Sequence, residues 1–171
     1  QVVVIDTNLP AESIAWLADN CHAPIFADPV STVKAEKLRP VLGKLHTLKP
    51  NRLEAELLSG VPITGTDSLH RAAQTLLETG LHRVFISLGA DGVYAADQSG
   101  SVTLPAPKAE MVSTTGCGDS FMAALTWAYL QGSDLERSAR AGLAASSLTM
   151  ESAETIHPSM SEAELLRRMA L

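Results

Sequence analysis

The sequence predicts an α/β fold on a mostly parallel sheet, and three patterns carry that expectation. Short β-branched runs alternate with stretches of helical periodicity as far as residue 88. A pair of strands with alternating polarity follows, and the last third reads as helix. Strand and helix in alternation, joined by short connections, describe a parallel sheet covered by helices.

Val2 to Ile5 form the first strand. Asp6-Thr7-Asn8 breaks it, and a helix with Ile14, Leu17 and Ala18 on one face starts after Pro10. Pro24 to Ala27 form the second strand, ending at Asp28-Pro29. A helix over Val33 to Leu42 and a third strand over Leu45 to Leu48 come next. Helices are predicted at Asn51 to Ser59 and Ser68 to Thr79, then a strand at Arg83 to Leu88. Gly92 to Ala96 and Ser101 to Leu104 alternate as an antiparallel hairpin turning at Asp97 to Gly100. Three helices close the chain: Asp119 to Leu130, Leu135 to Met150, and Ser161 to Met169, the last opening on a capping-box pattern. No repeat, low-complexity stretch or linker divides the 171 residues, so a single domain is expected.

Composition narrows the function. Hydrophobic residues make up 46% and aromatic residues 4%, so few rings exist to stack on bases. A net charge of −6 repels phosphate backbones, and no nucleic-acid partner is expected. No run approaches the roughly 18 apolar residues of a membrane span. Cys21 and Cys117 lack metal or disulfide spacing, which points to a reducing, cytoplasmic setting. The chain opens inside an apolar run, as a piece of a longer protein would. His22, His46, His70, His82 and His157 show no ligand spacing.

Ligands of parallel sheets bind beyond the carboxyl ends of the strands, so the loops at Asp6, Asp28, Lys49 and Leu88 are the places to look. Asp6, Asn8 and Asp28 have two readings there, as contacts to a ligand or as caps of the following helices. The strongest local signal is Thr114-Thr115-Gly116-Cys117-Gly118-Asp119-Ser120, a glycine-rich loop that runs into an apolar-periodic helix. Converging amides and the helix dipole suit an anion, and a carboxylate at that end could take a hydroxyl proton. The plainer reading is a glycine turn with Asp119 as N-cap. Lys49-Pro50-Asn51-Arg52-Leu53-Glu54 puts Asn51 and Glu54 on one face of a helix's first turn, suited to a hydrated magnesium or simply to an acidic helix start. Ser87-Leu88-Gly89-Ala90-Asp91-Gly92 is either a strand-to-hairpin turn or a phosphate contact. A P-loop is excluded because Gly43-Lys44 is followed by Leu45, and the Rossmann fingerprint lacks its third glycine.

Together these three stretches resemble the ribokinase, or carbohydrate kinase, family, whose D-T-x-G-A-G-D, P-N-x-x-E and T-x-G-x-x-G motifs occur in the same places. The resemblance covers all 171 residues and implies a three-layer α/β/α fold, the C-terminal half of a kinase whose lid lies outside this stretch. It implies Asp119 as catalytic base with an anion hole from Gly116, Cys117 and Gly118. It also implies Asn51 and Glu54 near magnesium, Glu54 as the metal residue, and Ser87, Gly89 and Gly92 on the nucleotide phosphates. Gly142 and Ala145 fall on the helix that lines the base pocket in the family. ATP and magnesium are the implied cofactors. Potassium would bind near the motif's leading Asp and carbonyls at Met150 to Ser152, but Ser113 replaces that Asp. Cys117 stands where the family has Ala; a role as redox nucleophile rests only on the helix N-terminus lowering its pKa.

The implied reaction is phosphorylation of a primary hydroxyl on a sugar or nucleoside. Val4 to Pro10, Asp28 to Ser31 and His46 to Asn51 look most like the branch of the family acting on pseudouridine. The alternatives are a catalytically incomplete nucleotide-binding module, or a kinase for ribose, fructose or a vitamin precursor. A homodimer formed through the lid of the full-length protein is the implied assembly.

Overall fold

In a computed structural model that describes residues 1–170, the chain forms two compact units. One comprises Gln1–Leu88 and Tyr94–Val102, the other Gly89–Val93 and the chain from Thr103 onward. The strands are β1 (Val3–Asp6), β2 (Ile25–Asp28), β3 (Thr47–Leu48), β4 (Arg83–Ser87), β5 (Val93–Asp97) and β6 (Gly100–Leu104). They form one sheet in the order of the sequence, with β1 to β4 parallel and an antiparallel C-terminal end. The α/β class and the mostly parallel sheet with its antiparallel end thus follow the expectation.

In the first unit, Ile5, Ile25, Ala27, Leu48, Val84 and Ile86 alternate onto one face of the sheet and pack against apolar helix faces. Those helices are α1 (Ala11–Asn20), α3 (Arg52–Ser59) and α4 (Thr66–Glu78). They meet the sheet through Ile14; Ala55 and Leu58; and Leu69, Ala72, Ala73 and Leu76. Each large aliphatic residue buried here contributes about 1.5–3 kcal/mol.

Two elements differ from the sequence expectation. The helix expected over Val33 to Leu42 is a four-residue turn, α2 (Thr32–Ala35), that runs into a 3-10 helix at Glu36–Lys44 containing Pro40. Proline has no N–H to donate and its ring crowds the carbonyl four residues back, so tighter winding replaces a regular helix. The third strand keeps only Thr47–Leu48, because the Leu45 amide closes the 3-10 helix on Leu42 O at 3.2 Å. α4 also starts two residues early: Ser68 sits inside the first turn, where its Oγ accepts the amides of Thr64 (2.8 Å) and Gly65 (3.0 Å).

The second unit is helical: α5 (Cys117–Leu130), α6 (Leu135–Met150) and α7 (Glu162–Met169). Ala124, Ala128, Ala141, Ala144 and Ala145 let α5 and α6 approach closely, with Leu165 of α7 on the same cluster. Asp134 caps α6 and Ser161 caps α7, each accepting the amide three residues on. No helix among the described residues is long and apolar enough to cross a membrane.

His46 lies between Phe26 and His82, with 5.3 Å between ring centroids on each side and interplanar angles of 4° and 8°. Burial, then the neighbouring His82 and Arg83 charges, push its pKa down to about 4. The unfolded chain binds this proton more readily, so the contribution is complete above pH 6.5 and is lost as pH falls toward 4. Allowing for solvent at the half-buried ring, the loss is about 1–2 kcal/mol. Urea denaturation of wild type is expected to show this acid limb between pH 6.5 and 4. His46→Phe, which keeps the stack without the titrating group, is expected to flatten it.

Candidate active site

The parallel ladder sets the carboxyl ends of β1 to β4 side by side, with Asp6 opposite Asp28 and Leu48 opposite Val84. Just past these ends Asn51 and Ser87 form a bridge, and the Ser87 amide donates to Pro50 O at 2.9 Å. The structure therefore brings Asn51, Glu54 and Ser87 of the first unit together.

Asn51 and Glu54 close a capping box on α3. Asn51 Oδ1 accepts the Glu54 amide at 2.9 Å, and Glu54 Oε2 accepts the Asn51 amide at 2.8 Å. Glu54 is only 3% exposed, yet its Oε1 accepts no hydrogen bond among the described residues. Burial pushes this carboxyl above its ordinary pKa, and the Asn51 amide pulls it back; Asp28 adds to the rise and Lys49 opposes it. Lys49, given no role from the sequence, is buried and pairs with Asp28 Oδ2 at 2.9 Å. Only its place at a strand end beside Asp28 could have signalled this.

Asp6 and Asp28 serve their own loops. Asp6 accepts the backbone and side-chain amides of Asn8 at 2.7 and 2.9 Å, and Asp28 Oδ1 accepts the Val30 amide at 3.0 Å. Val30 has φ +62°, a conformation a β-branched residue rarely adopts. No group of three or more His, Cys, Asp or Glu among the described residues could cage a metal. One open carboxylate oxygen fits magnesium, which keeps most of its water and takes few protein ligands.

In the second unit the glycine-rich loop leads directly into α5. Cys117 and Gly118 are helical, two residues ahead of the expected start, and Gly116 is the cap residue at φ +82°. A β-carbon at Gly116 would lie 2.5 Å from Thr155 O, so neither the turn nor the space admits a side chain. No side chain caps this helix. The Cys117 amide makes a long bond to Thr114 O at 3.3 Å, and the Gly118 and Asp119 amides donate to no acceptor among the described residues. Donors left open at a helix start favour an anion. Asp119 is exposed beside them, in the first turn.

The sequence reading missed what fixes this loop. Ser146 Oγ donates to Cys117 O at 2.7 Å, and Ser120 and Thr149 share a 2.6 Å hydrogen bond. The amides of Val112 and Ser113 both donate to Met150 O, at 2.9 and 3.1 Å. That use of both lone pairs removes Met150 from the carbonyls expected near potassium. The signal in the sequence was the run of hydroxyls at Ser146, Ser147 and Thr149 in an otherwise apolar stretch of α6.

Cys117 Sγ faces Ser146 O at 3.6 Å, and burial raises its pKa, which favours an inert thiol over a redox nucleophile. Ala145 lines a cavity of about 460 Å³ together with Gly116, Asp119, Trp127 and Thr155. Gly142 instead lies under the Phe121 ring, where a β-carbon would come within 2.4 Å. Gly92 is a packing position, since a β-carbon there would meet Leu104 O at 2.0 Å. Gly89, at φ +64°, borders open space.

A mostly parallel sheet with an antiparallel end, and a bare glycine-rich helix start beside a carboxylate, define the ribokinase-like α/β/α class. The family model for pfkB carbohydrate kinases matches residues 7–163, and the chain belongs to that family. It is similar to the pseudouridine kinase of Escherichia coli strain K12, 39% identical over 168 residues, covering 97% of this chain and 54% of that protein. A ribokinase of Staphylococcus aureus is 35% identical over 112 residues, covering 65% and 37% of the two chains. A crystal structure from Clostridium perfringens has a TM-score of 0.94 at 35% identity, covering 99% of this chain and 54% of that one. The chain spans about half the length of the curated relatives it matches.

A carboxyl raised by burial favours folding in its protonated form, so its contribution is complete below the unfolded value and is lost as pH rises through the folded value. Glu54→Gln keeps an acceptor for the Asn51 amide and removes the buried charge. Its melting temperature at pH 7 is expected to equal or exceed that of wild type. A loss of about 1 kcal/mol or more, the size of a missing cap, would mean that the charge itself stabilises α3.

Proposed function

We propose that this chain carries the phosphoryl-transfer half of an ATP-dependent kinase that acts on the primary hydroxyl of a nucleoside or sugar, with pseudouridine as the acceptor. The observation that carries this reading is the uncapped start of α5, where open amides stand beside the exposed Asp119. Asp119 takes the proton from the acceptor hydroxyl as that oxygen attacks the terminal phosphoryl group of ATP. The amides of Gly116, Cys117 and Gly118 offset the charge that develops on the phosphoryl oxygens. Ser87 and Gly89 hold the nucleotide phosphates, Ala145 belongs to the base pocket, and Asn51 and Glu54 hold magnesium. Gly92 and Gly142 serve the site only through the packing that shapes it. Magnesium, when bound, neutralises phosphate charge and orients the transferred group.

Family membership supports the kinase reading, and the 39% identity to a pseudouridine kinase supports the acceptor. The share of its relatives that the chain spans favours a second reading, a nucleotide-binding half that is inactive alone.

Titration calorimetry with magnesium and a non-hydrolysable ATP analogue, followed by turnover with pseudouridine and with ribose, separates the two. Binding with turnover of pseudouridine is expected, and Asp119→Asn is expected to bind the analogue normally while losing about 10²- to 10⁴-fold in rate. Near-normal turnover in that variant would overturn the role of Asp119. Binding without turnover in wild type would favour the second reading, and absence of binding would count against the nucleotide site.

A further inference from the structure

α7 has eight residues, and Leu165 is the buried one among them. A helix that short is marginal alone, and one core side chain gives it little hold on the unit. Arg168 supplies a second attachment. Its Nη1 donates to Glu151 Oε1 at 2.9 Å and its Nη2 to Oε2 at 2.5 Å, a bidentate pair across 17 residues. The two side chains are 17% and 25% exposed. Arg167–Glu164 and Arg140–Glu136, by contrast, stay within one helix.

Glu151 is the C-cap of α6. The carbonyl end of a helix carries partial negative charge, so a cation is the favoured neighbour there. α6 has no basic residue in its last turn and closes on a carboxylate. Arg168 thus brings from another helix the positive charge that this end lacks.

What hangs on that turn is the glycine-rich loop. Ser146, Thr149 and Met150 stand three and four residues apart, on one face of α6. Ser146 holds Cys117 O, Thr149 holds Ser120, and Met150 O takes the amides of Val112 and Ser113. Ser113 Oγ accepts the Thr115 amide in turn, at 3.2 Å. Helix ends fray first, and loss of this one turn would release all three attachments together.

We propose that Arg168 is a positioning residue for phosphoryl transfer: through Glu151 it keeps the last turn of α6 wound, and that turn holds the open amides of the glycine-rich loop in place. The proposal rests on the reading of that loop as the anion site. The link from Arg168 to the loop is measured separately from it.

Hydrogen exchange at the Val112 and Ser113 amides reads the turn directly, because both donate to Met150 O. Arg168→Met leaves Glu151 unpaired at the negative end of the helix. It is expected to speed exchange at both amides at least tenfold, with Ala124 and Leu125 inside α5 unchanged, and to weaken binding of the magnesium complex of the ATP analogue at least tenfold. Glu151→Ala removes the carboxylate with the pair and is expected to do less. Added to Arg168→Met, it is expected to restore part of the loss, which a packing role for Arg168 would not allow. Arg167→Met takes the same charge from α7 without touching α6 and is expected to change neither readout. Unaltered exchange at Val112 and Ser113, a uniform rise through α5, or no relief by Glu151→Ala would overturn the proposal. So would undiminished affinity for the analogue in Arg168→Met. A wild-type chain that does not bind the analogue, while exchange still answers to Arg168, would instead strike the nucleotide reading and the part of Arg168 in phosphoryl transfer with it.

Discussion

The parallel ladder from β1 to β4 is the constraint on which the first unit depends. Its register aligns four carboxyl ends, and backbone groups past those ends must find partners outside the sheet. Asp6, Asp28 and Asn51 supply them as local turns and caps, and Lys49 balances the charge at Asp28. Polar residues gather here because strand ends need acceptors and donors. The same concentration of polarity is what a phosphate-handling site requires, so structural and chemical demands fall on one set of residues.

The second unit reaches a comparable result differently. Its glycine-rich loop leaves donors open, which is unfavourable unless a ligand or water takes them. The loop keeps its shape because α6 holds it from behind, through Ser146, Thr149 and the Met150 carbonyl. Small residues between α5 and α6 make that proximity possible. Packing by alanine and anchoring by hydroxyls thus set the position of the backbone at Gly116 to Asp119.

Much of this was legible in the sequence, for identifiable reasons. Apolar period distinguished strand from helix throughout, and the three glycine- or asparagine-bearing loops stood out because each breaks that period. The 3-10 stretch at Glu36–Lys44 was not legible as such, since its apolar spacing suits a regular helix and only Pro40 argues otherwise. The start of α5 was placed late because Cys117 and Gly118 look like loop residues. The anchoring by Ser146 and Thr149 joins residues 29 apart, which no local pattern reveals. Gly142 and Ala145 looked equivalent as small residues on one helix. Only the position of the Phe121 ring separates a packing glycine from a cavity wall.

The capping box on α3 has a consequence for speed. Glu54 gives one oxygen to the helix and keeps the other clear of protein donors. A cation that takes the second oxygen leaves the cap in place, so α3 need not fray or re-form as the ion arrives and departs. Were a magnesium ion to take that oxygen, its exchange would be set by how fast the ion sheds water and not by how fast a helix unwinds.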